Sequence, residues 1–249
     1  MATDKFRLDV LLVNRGYFKS RDRAQAAVME GHVLADGIVA LKPGTSFPES
    51  VQLEVKEKDL QYVSRGGLKL EKALDEFGID PAGRVCMDIG ASTGGFTDVL
   101  LTRGAGLVYA IDVGYGQLDW TLRNDPRVVN LERTNIRYID KALIKTAPSF
   151  ICIDVSFISL SLVLPVAAGL LERGGEMVAL IKPQFEAGRG QVGKGGIIRD
   201  GSVRAEVIDK VRGYAESCGL RPGELIESPI SGAKGNIEYL IHLRGEAVQ

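Results

Sequence analysis

The stretch Arg84-Val-Cys-Met-Asp-Ile-Gly-Ala-Ser-Thr-Gly-Gly-Phe-Thr-Asp-Val-Leu100 limits what this chain can become more than any other. An apolar run, a tight glycine-rich turn and the start of an amphipathic segment read as strand, loop and helix. Small residues let the backbone come close to a ligand, and the free amides at a helix start favour a carboxylate or phosphate. Two chemistries suit such a loop. One is a nucleotide cofactor. The other is a nucleophile elbow, since Gly90-Ala-Ser92-Thr-Gly94 fits G-x-S-x-G.

From this stretch onward the chain alternates. Strands are expected at Val85–Ile89, Leu107–Ile111, 149–153 and 177–181, with helices at 95–103, 159–172 and 202–218. Two late strands, near 225–228 and 237–243, would form a closing hairpin at the sheet edge. The fold class expected is α/β: a doubly wound, Rossmann-like, mostly parallel sheet with an antiparallel closing strand. Ligands of such sheets bind at the carboxyl ends of the strands. Asp112 ends the second strand about 20 residues past the glycine loop, where a carboxylate reaches ribose hydroxyls. Asp88, Gly90, Ser92, Gly94, Gly95, Phe96 and Asp112 are therefore candidate cofactor residues, with Asn135 and Asp154 from the next strand ends. Ser92 stands where a dinucleotide loop has its central glycine, so a compact methionine carboxylate fits better than two phosphates.

A hydrolase needs a base for Ser92. The chain has two histidines, His32 near the start and His242 inside an apolar strand pattern. Neither makes a convincing partner, and esterase chemistry ranks below cofactor binding.

Ahead of this domain lies a smaller one. Leu8, Leu11 and Leu12 have helical spacing, a second helix follows Ser20 and ends at Gly31, and short strands flank an Asp36-Gly37 turn. A polar junction follows. The expected division is 1–58, a linker over 59–66, and 67–249. Net charge is −1 over 249 residues, so any attraction to nucleic acid must come from a local basic face. The three cysteines are widely spaced, which argues for buried thiols in a reducing cytosol and against a zinc site or disulfide framework. The N-terminus lacks the apolar core of a signal peptide. The longest uncharged run, over 155–171, contains Pro165 and falls short of the roughly 20 residues of a membrane span. A cytoplasmic monomer without stable membrane insertion is expected, and no metal site.

Arg7-Leu-Asp9, Ser20-Arg21-x-x-Ala24 and Gly31-His-Val33 before Asp36-Gly37 resemble the S4 RNA-binding domain. The resemblance implies an α+β module whose second helix and preceding turn present cations to RNA. Arg7, Arg15, Lys19, Arg21 and Arg23 are the positions it marks, with Asp4, Asp9 and Asp22 diluting their field. The alternative for each is an ordinary solvated helix charge.

Lys69, Asp154, Lys182 and Glu238 match the Lys-Asp-Lys-Glu tetrad of FtsJ-like ribose 2′-O-methyltransferases. Periodicity alone would make Lys69 a surface lysine and put Glu238 on an exposed strand face. The phrases Tyr62-Val-Ser-Arg-Gly-Gly-Leu-Lys69, Asp88-Ile-Gly-Ala-Ser-Thr-Gly-Gly-Phe-Thr97, Ile153-Asp-Val-Ser-Phe-Ile-Ser159, Ile181-Lys-Pro-Gln-Phe-Glu186 and Gly235-Asn-Ile-Glu238 extend the likeness over nearly the whole chain. As a whole it resembles the TlyA family of rRNA methyltransferases, also labelled haemolysins. That resemblance implies S-adenosyl-L-methionine as cofactor and 2′-O-methylation of cytidines in 16S or 23S rRNA within ribosomal subunits, with the tetrad as catalytic group. Lys182 would be base or oxyanion stabiliser, Lys69 a second cation, and the two carboxylates their orienting partners. Arg65, Phe185, Arg189 and Lys194, the last three in a glycine-rich stretch too long for a simple connection, are further candidate RNA contacts. A membrane-lytic role is the non-enzymatic alternative, and no span or strongly basic amphipathic helix supports it.

Overall fold

In the computed structural model, residues 5–18, 20–29, 31–55, 61–188, 190–193, 195–232 and 235–246 are described. The chain divides into two units, Met1–Ser64 and Arg65–Gln249.

In the first unit β1 (Lys5–Arg7) runs directly into α1 (Leu8–Asn14), and α2 (Arg21–Met29) packs against it. Then come β2 (Val33–Ala35), β3 (Ile38–Val39), β4 (Ser46–Pro48) and β5 (Leu53–Val55). β2 lies between β3 and β5, all antiparallel, and the β2–β3 hairpin turns at Asp36-Gly37, both at positive φ. β1 pairs with β4, a two-stranded piece that the apolar spacing did not announce. Leu8, Leu11, Leu12, Ala24, Ala27, Val28, Val33 and Leu53 form a core belonging to this unit alone. Helical spacing on two short helices is thus enough to close a small core.

The second unit is a seven-stranded sheet covered by helices. Its elements are α3 (Gly67–Phe77), β6 (Val85–Ile89), α4 (Gly95–Thr102), β7 (Leu107–Ile111), α5 (Trp120–Arg123), β8 (Val128–Leu131), β9 (Phe150–Ile153), α6 (Leu164–Ala168), β10 (Glu176–Ile181), α7 (Pro183–Glu186), α8 (Gly201–Ser217), β11 (Arg221–Glu227) and β12 (Tyr239–Arg244). Strand order is β11-β12-β10-β9-β6-β7-β8, with β12 antiparallel to β10 and to β11. The strands from β10 to β8 are parallel. Fully buried runs such as Phe150-Ile-Cys-Ile153 are what a sheet covered on both faces demands. The order reverses beside β6, which opens a crevice at its carboxyl end.

Two expectations need correction. The helix foreseen over 159–172 is a short 3-10 turn, Leu160–Leu162, followed by α6, because Pro165 lacks an amide and fits only a first helical turn. The edge strand β8 has a mixed sequence, Val-Val-Asn-Leu, with no clear alternation, and escaped notice. Cys86 and Cys152 are buried free thiols, as expected, and burial pushes Cys86 up to about 12.

Candidate active site

The loop after β6 is built by backbone geometry. Gly90 has φ of 91°, and a Cβ there would run into the backbone carbonyl of Asp154. Only glycine lets the β6 and β9 strand ends approach this closely. Ser92 also has positive φ, at 50°, and its N–H donates to Asp112 Oδ2 at 2.8 Å. The other oxygen, Asp112 Oδ1, accepts from Gly114 N at 2.6 Å. Each carboxylate oxygen keeps a lone pair for a ligand hydroxyl.

These strand ends enclose a cavity of about 440 Å³. Gly90, Ser92, Asp112, Asn135 and Asp154 all line it, and Ile111, Val113 and Ile136 give it apolar wall. Asp88, Gly94, Gly95 and Phe96 are not among the cavity's lining residues. Asp88 is fully buried and accepts from Thr97 N at 2.9 Å and Thr97 Oγ1 at 2.7 Å, capping α4 from below. Burial raises its carboxyl to about 7, opposed by the Thr97 hydrogen bonds and reinforced by Asp154 and Asp112. Phe96 is buried in the core, and Gly94 packs against Leu118 and Leu122.

Asp154, on the cavity wall, holds Lys182 Nζ at 2.6 Å, and Lys182 also donates to Ser156 Oγ at 2.8 Å. Lys182 follows the last residue of β10, with Pro183 beginning α7, so the adjacent parallel strands β9 and β10 deliver the pair. A second pair joins Lys69 Nζ to Glu238 Oε2 at 2.7 Å. Both of its members are buried, contrary to the periodicity reading. α3 presents Lys69 inward, and Glu238 precedes β12 rather than alternating within it. Gly232 leaves the space Glu238 occupies, since any Cβ there would overlap the carboxylate. Gln184, two residues beyond Lys182, donates to Glu238 Oε1 at 3.4 Å and brings the pairs into one cluster. Ser156 and Gln184 stand inside family-like phrases of the sequence but were given no role there, and the only hint at Gly232 was its position six residues before Glu238.

Phe157 is 90% exposed with φ of 64°, lines the cavity, and its ring lies 5.0 Å from that of Phe185. Arg137 also lines the cavity and donates through Nε to Asn135 Oδ1. Phe157 stands in a family-like phrase but was given no role beforehand, and Arg137 was not marked. The serine-elbow alternative is corrected. His242 sits in β12, three strand spacings or about 14 Å from β6. It stacks on Phe77 and lies 3.2 Å from Glu176 Oε1. His32 belongs to the other unit.

Residues 62–245 match the FtsJ-like methyltransferase family, and residues 6–51 match the S4 domain. The chain belongs to the FtsJ-like methyltransferase family. Among relatives of this methyltransferase, Bacillus subtilis YqxC is 51% identical over 98% of this chain and 87% of its own. The 16S/23S rRNA (cytidine-2'-O)-methyltransferase TlyA of Mycobacterium tuberculosis is 47% identical over 96% of this chain and 89% of its own. A solved Streptococcus thermophilus structure, described as a hemolysin, superposes with TM-score 0.78 at 48% identity, covering 98% of this chain and 90% of that one. The TlyA resemblance read from the motifs is met by both domain matches and by these relatives.

In the S4 unit, Arg7 and Arg21 converge on Asp9, one of the three carboxylates set against their field in the sequence, and Asp9 is buried. Arg15 spends its guanidinium on backbone carbonyls, reaching Val51 O at 2.7 Å and also Glu49 O. Arg65 opens the second unit, half-buried. Lys19, Arg189 and Lys194, and the side chain of Arg23, lie outside the described residues.

Proposed function

We propose that this methyltransferase uses S-adenosyl-L-methionine to methylate the ribose 2′-hydroxyl of cytidine in 16S or 23S rRNA, with ribosomal subunits as substrate and the S4 unit as an RNA-holding module. The observation that carries the reading is Asp154, which both walls the cavity and holds Lys182. One residue thus ties the cofactor site to the reacting group.

The cavity suits this cofactor. Asp112 offers its free lone pairs to ribose hydroxyls, Ile111, Val113 and Ile136 to an adenine face, and the glycine loop a close approach for the methionine end. When bound, the cofactor supplies a methyl group already activated on a sulfonium. The protein must then align a hydroxyl in line with that methyl and manage its proton. Lys182 is held for this by Asp154 and Ser156. As a free amine it takes the proton, and as an ammonium it steadies the charge growing on oxygen. Lys69 and Gln184 hold Glu238 beside this group. Among the described residues no group of His, Cys, Asp or Glu is arranged to hold a metal.

Incubation with methyl-labelled cofactor and ribosomal subunits should place label on ribose, and absence of transfer by the folded protein counts against the proposal. Lys182→Ala should abolish transfer while cofactor affinity stays within about threefold, since the lysine acts on the acceptor. For the lytic alternative, no helix among the described residues is long and apolar enough to cross a membrane.

A further inference from the structure

Asp9 is fully buried on α1, beside Leu8, Leu11 and Leu12. A carboxylate in such a place is tolerated only if it is paired and hydrogen-bonded. Its Oδ1 accepts from Arg7 Nε at 3.0 Å and from Val10 N at 3.0 Å. Its Oδ2 accepts from Arg7 Nη2 at 2.9 Å, Arg21 Nη2 at 3.0 Å and Gln25 Nε2 at 2.7 Å. Arg7, backed by Gln25 and Arg21, holds the Asp9 carboxyl far below the usual range, so it is ionised at any working pH. The arginines are not buried with it: their side chains remain 50% and 54% exposed. Arg7 also lies against the turn before β4, where a Cβ on Gly44 would stand 3.2 Å from its Nη1. The two bonds to Asp9 fix the guanidinium plane.

Arg7 precedes α1 and Arg21 begins α2, so one buried carboxylate holds two cations from separate elements side by side with N–H donors still facing out. Two planar forks at fixed spacing match phosphate oxygens. A free surface arginine would lose rotamer freedom on binding, and here that ordering is built into the fold. We propose that Asp9 is a positioning residue for RNA binding, presenting Arg7 and Arg21 as a preassembled phosphate clamp. The proposal rests on the reading of the S4 unit as an RNA-holding module.

The test turns on sign. Asp9→Asn removes a negative charge from a face that meets a polyanion. A carboxylate that merely dilutes the field predicts tighter binding to ribosomal subunits. Positioning predicts binding weaker by about tenfold at fixed salt, with a shallower dependence on salt. Tighter or unchanged binding by folded Asp9→Asn overturns the proposal. Should that variant not fold, Arg7→Lys decides, because it keeps the charge and loses the two-pronged geometry. A severalfold loss of affinity is expected, and none overturns the proposal. Replacing Arg7 and Arg21 together by Gln separates the two layers of the argument. If that leaves affinity unchanged, both the RNA reading of this face and the clamp fall. If it weakens binding while Asp9→Asn strengthens it, only the positioning role falls.

Discussion

Gly90 and Asp88 sit two residues apart and do opposite work. Gly90 faces the cavity, and its left-handed backbone and contact with the Asp154 carbonyl leave no room for a methyl group. Gly90→Ala should lower cofactor affinity by more than tenfold, measured by calorimetric titration, because the wall shared with Asp154 must move. Asp88 faces inward, with Oδ1 lacking a protein partner. Its carboxyl, raised to about 7, binds more protons in the folded chain than in the unfolded chain between roughly pH 4 and 7. Stability from this group is therefore greatest at the acid end of that window and falls as pH rises through it. Asp88→Asn keeps the acceptor for Thr97 and removes the titration. Its melting temperature should decline less between pH 5 and 8 than that of the parent, and an equal decline would remove Asp88 as the source.

Among elements, the decisive arrangement is α3 against the end of β12, where Lys69 meets Glu238. Removing one partner strands a buried charge, so Lys69→Ala should cost about 3–5 kcal/mol in denaturant unfolding. Replacing both by Met should recover most of that stability and none of the methyl transfer. Recovery of transfer by the double variant would make the pair a structural device only. The loop after β9 and helix α7 are tied in a similar way: Glu186, buried, accepts from Ser159 Oγ at 2.6 Å and Leu160 N at 2.7 Å. Burial raises the Glu186 carboxyl above its ordinary value. Glu186→Ala should loosen the wall formed by Val155, Ser156 and Phe157, seen as faster amide exchange over 155–160 and weaker cofactor binding. Asn236 does the equivalent for the glycine-rich stretch, donating to Gly196 O at 2.9 Å and accepting from Ile198 N at 3.0 Å.

For the whole molecule, each unit has its own core, and the cavity walled by Gly90, Asp112 and Asp154 is lined by residues of the second alone. Addition of S-adenosyl-L-methionine should slow amide exchange in three separate segments, near 90–92, 112–117 and 154–158. Protection confined to one of them would contradict a cavity assembled from several strand ends. The net charge of −1 gives no global attraction to RNA, so the proposed RNA holding rests on local cations such as the Arg7 and Arg21 pair.

Much of this was present in the order of residues. Alternating apolar runs and amphipathic segments imply a parallel α/β sheet, and a glycine loop with a carboxylate at the next strand end locates its ligand edge, because both are local patterns with a fixed period. Asp154 and Lys182 stand out by closing apolar strand patterns, but the tetrad as a set was legible only through family resemblance: Lys69 and Glu238 lie 169 residues apart, and nothing in their own neighbourhoods forecasts burial. Tertiary structure alone decided that Asp88 caps α4 beneath the loop, that Asp9 gathers two arginines rather than offsetting them, and that His242 faces Glu176 far from Ser92. A charged side chain takes its role from the partners that burial forces on it, and those partners are set by strand order and helix packing rather than by nearness along the chain.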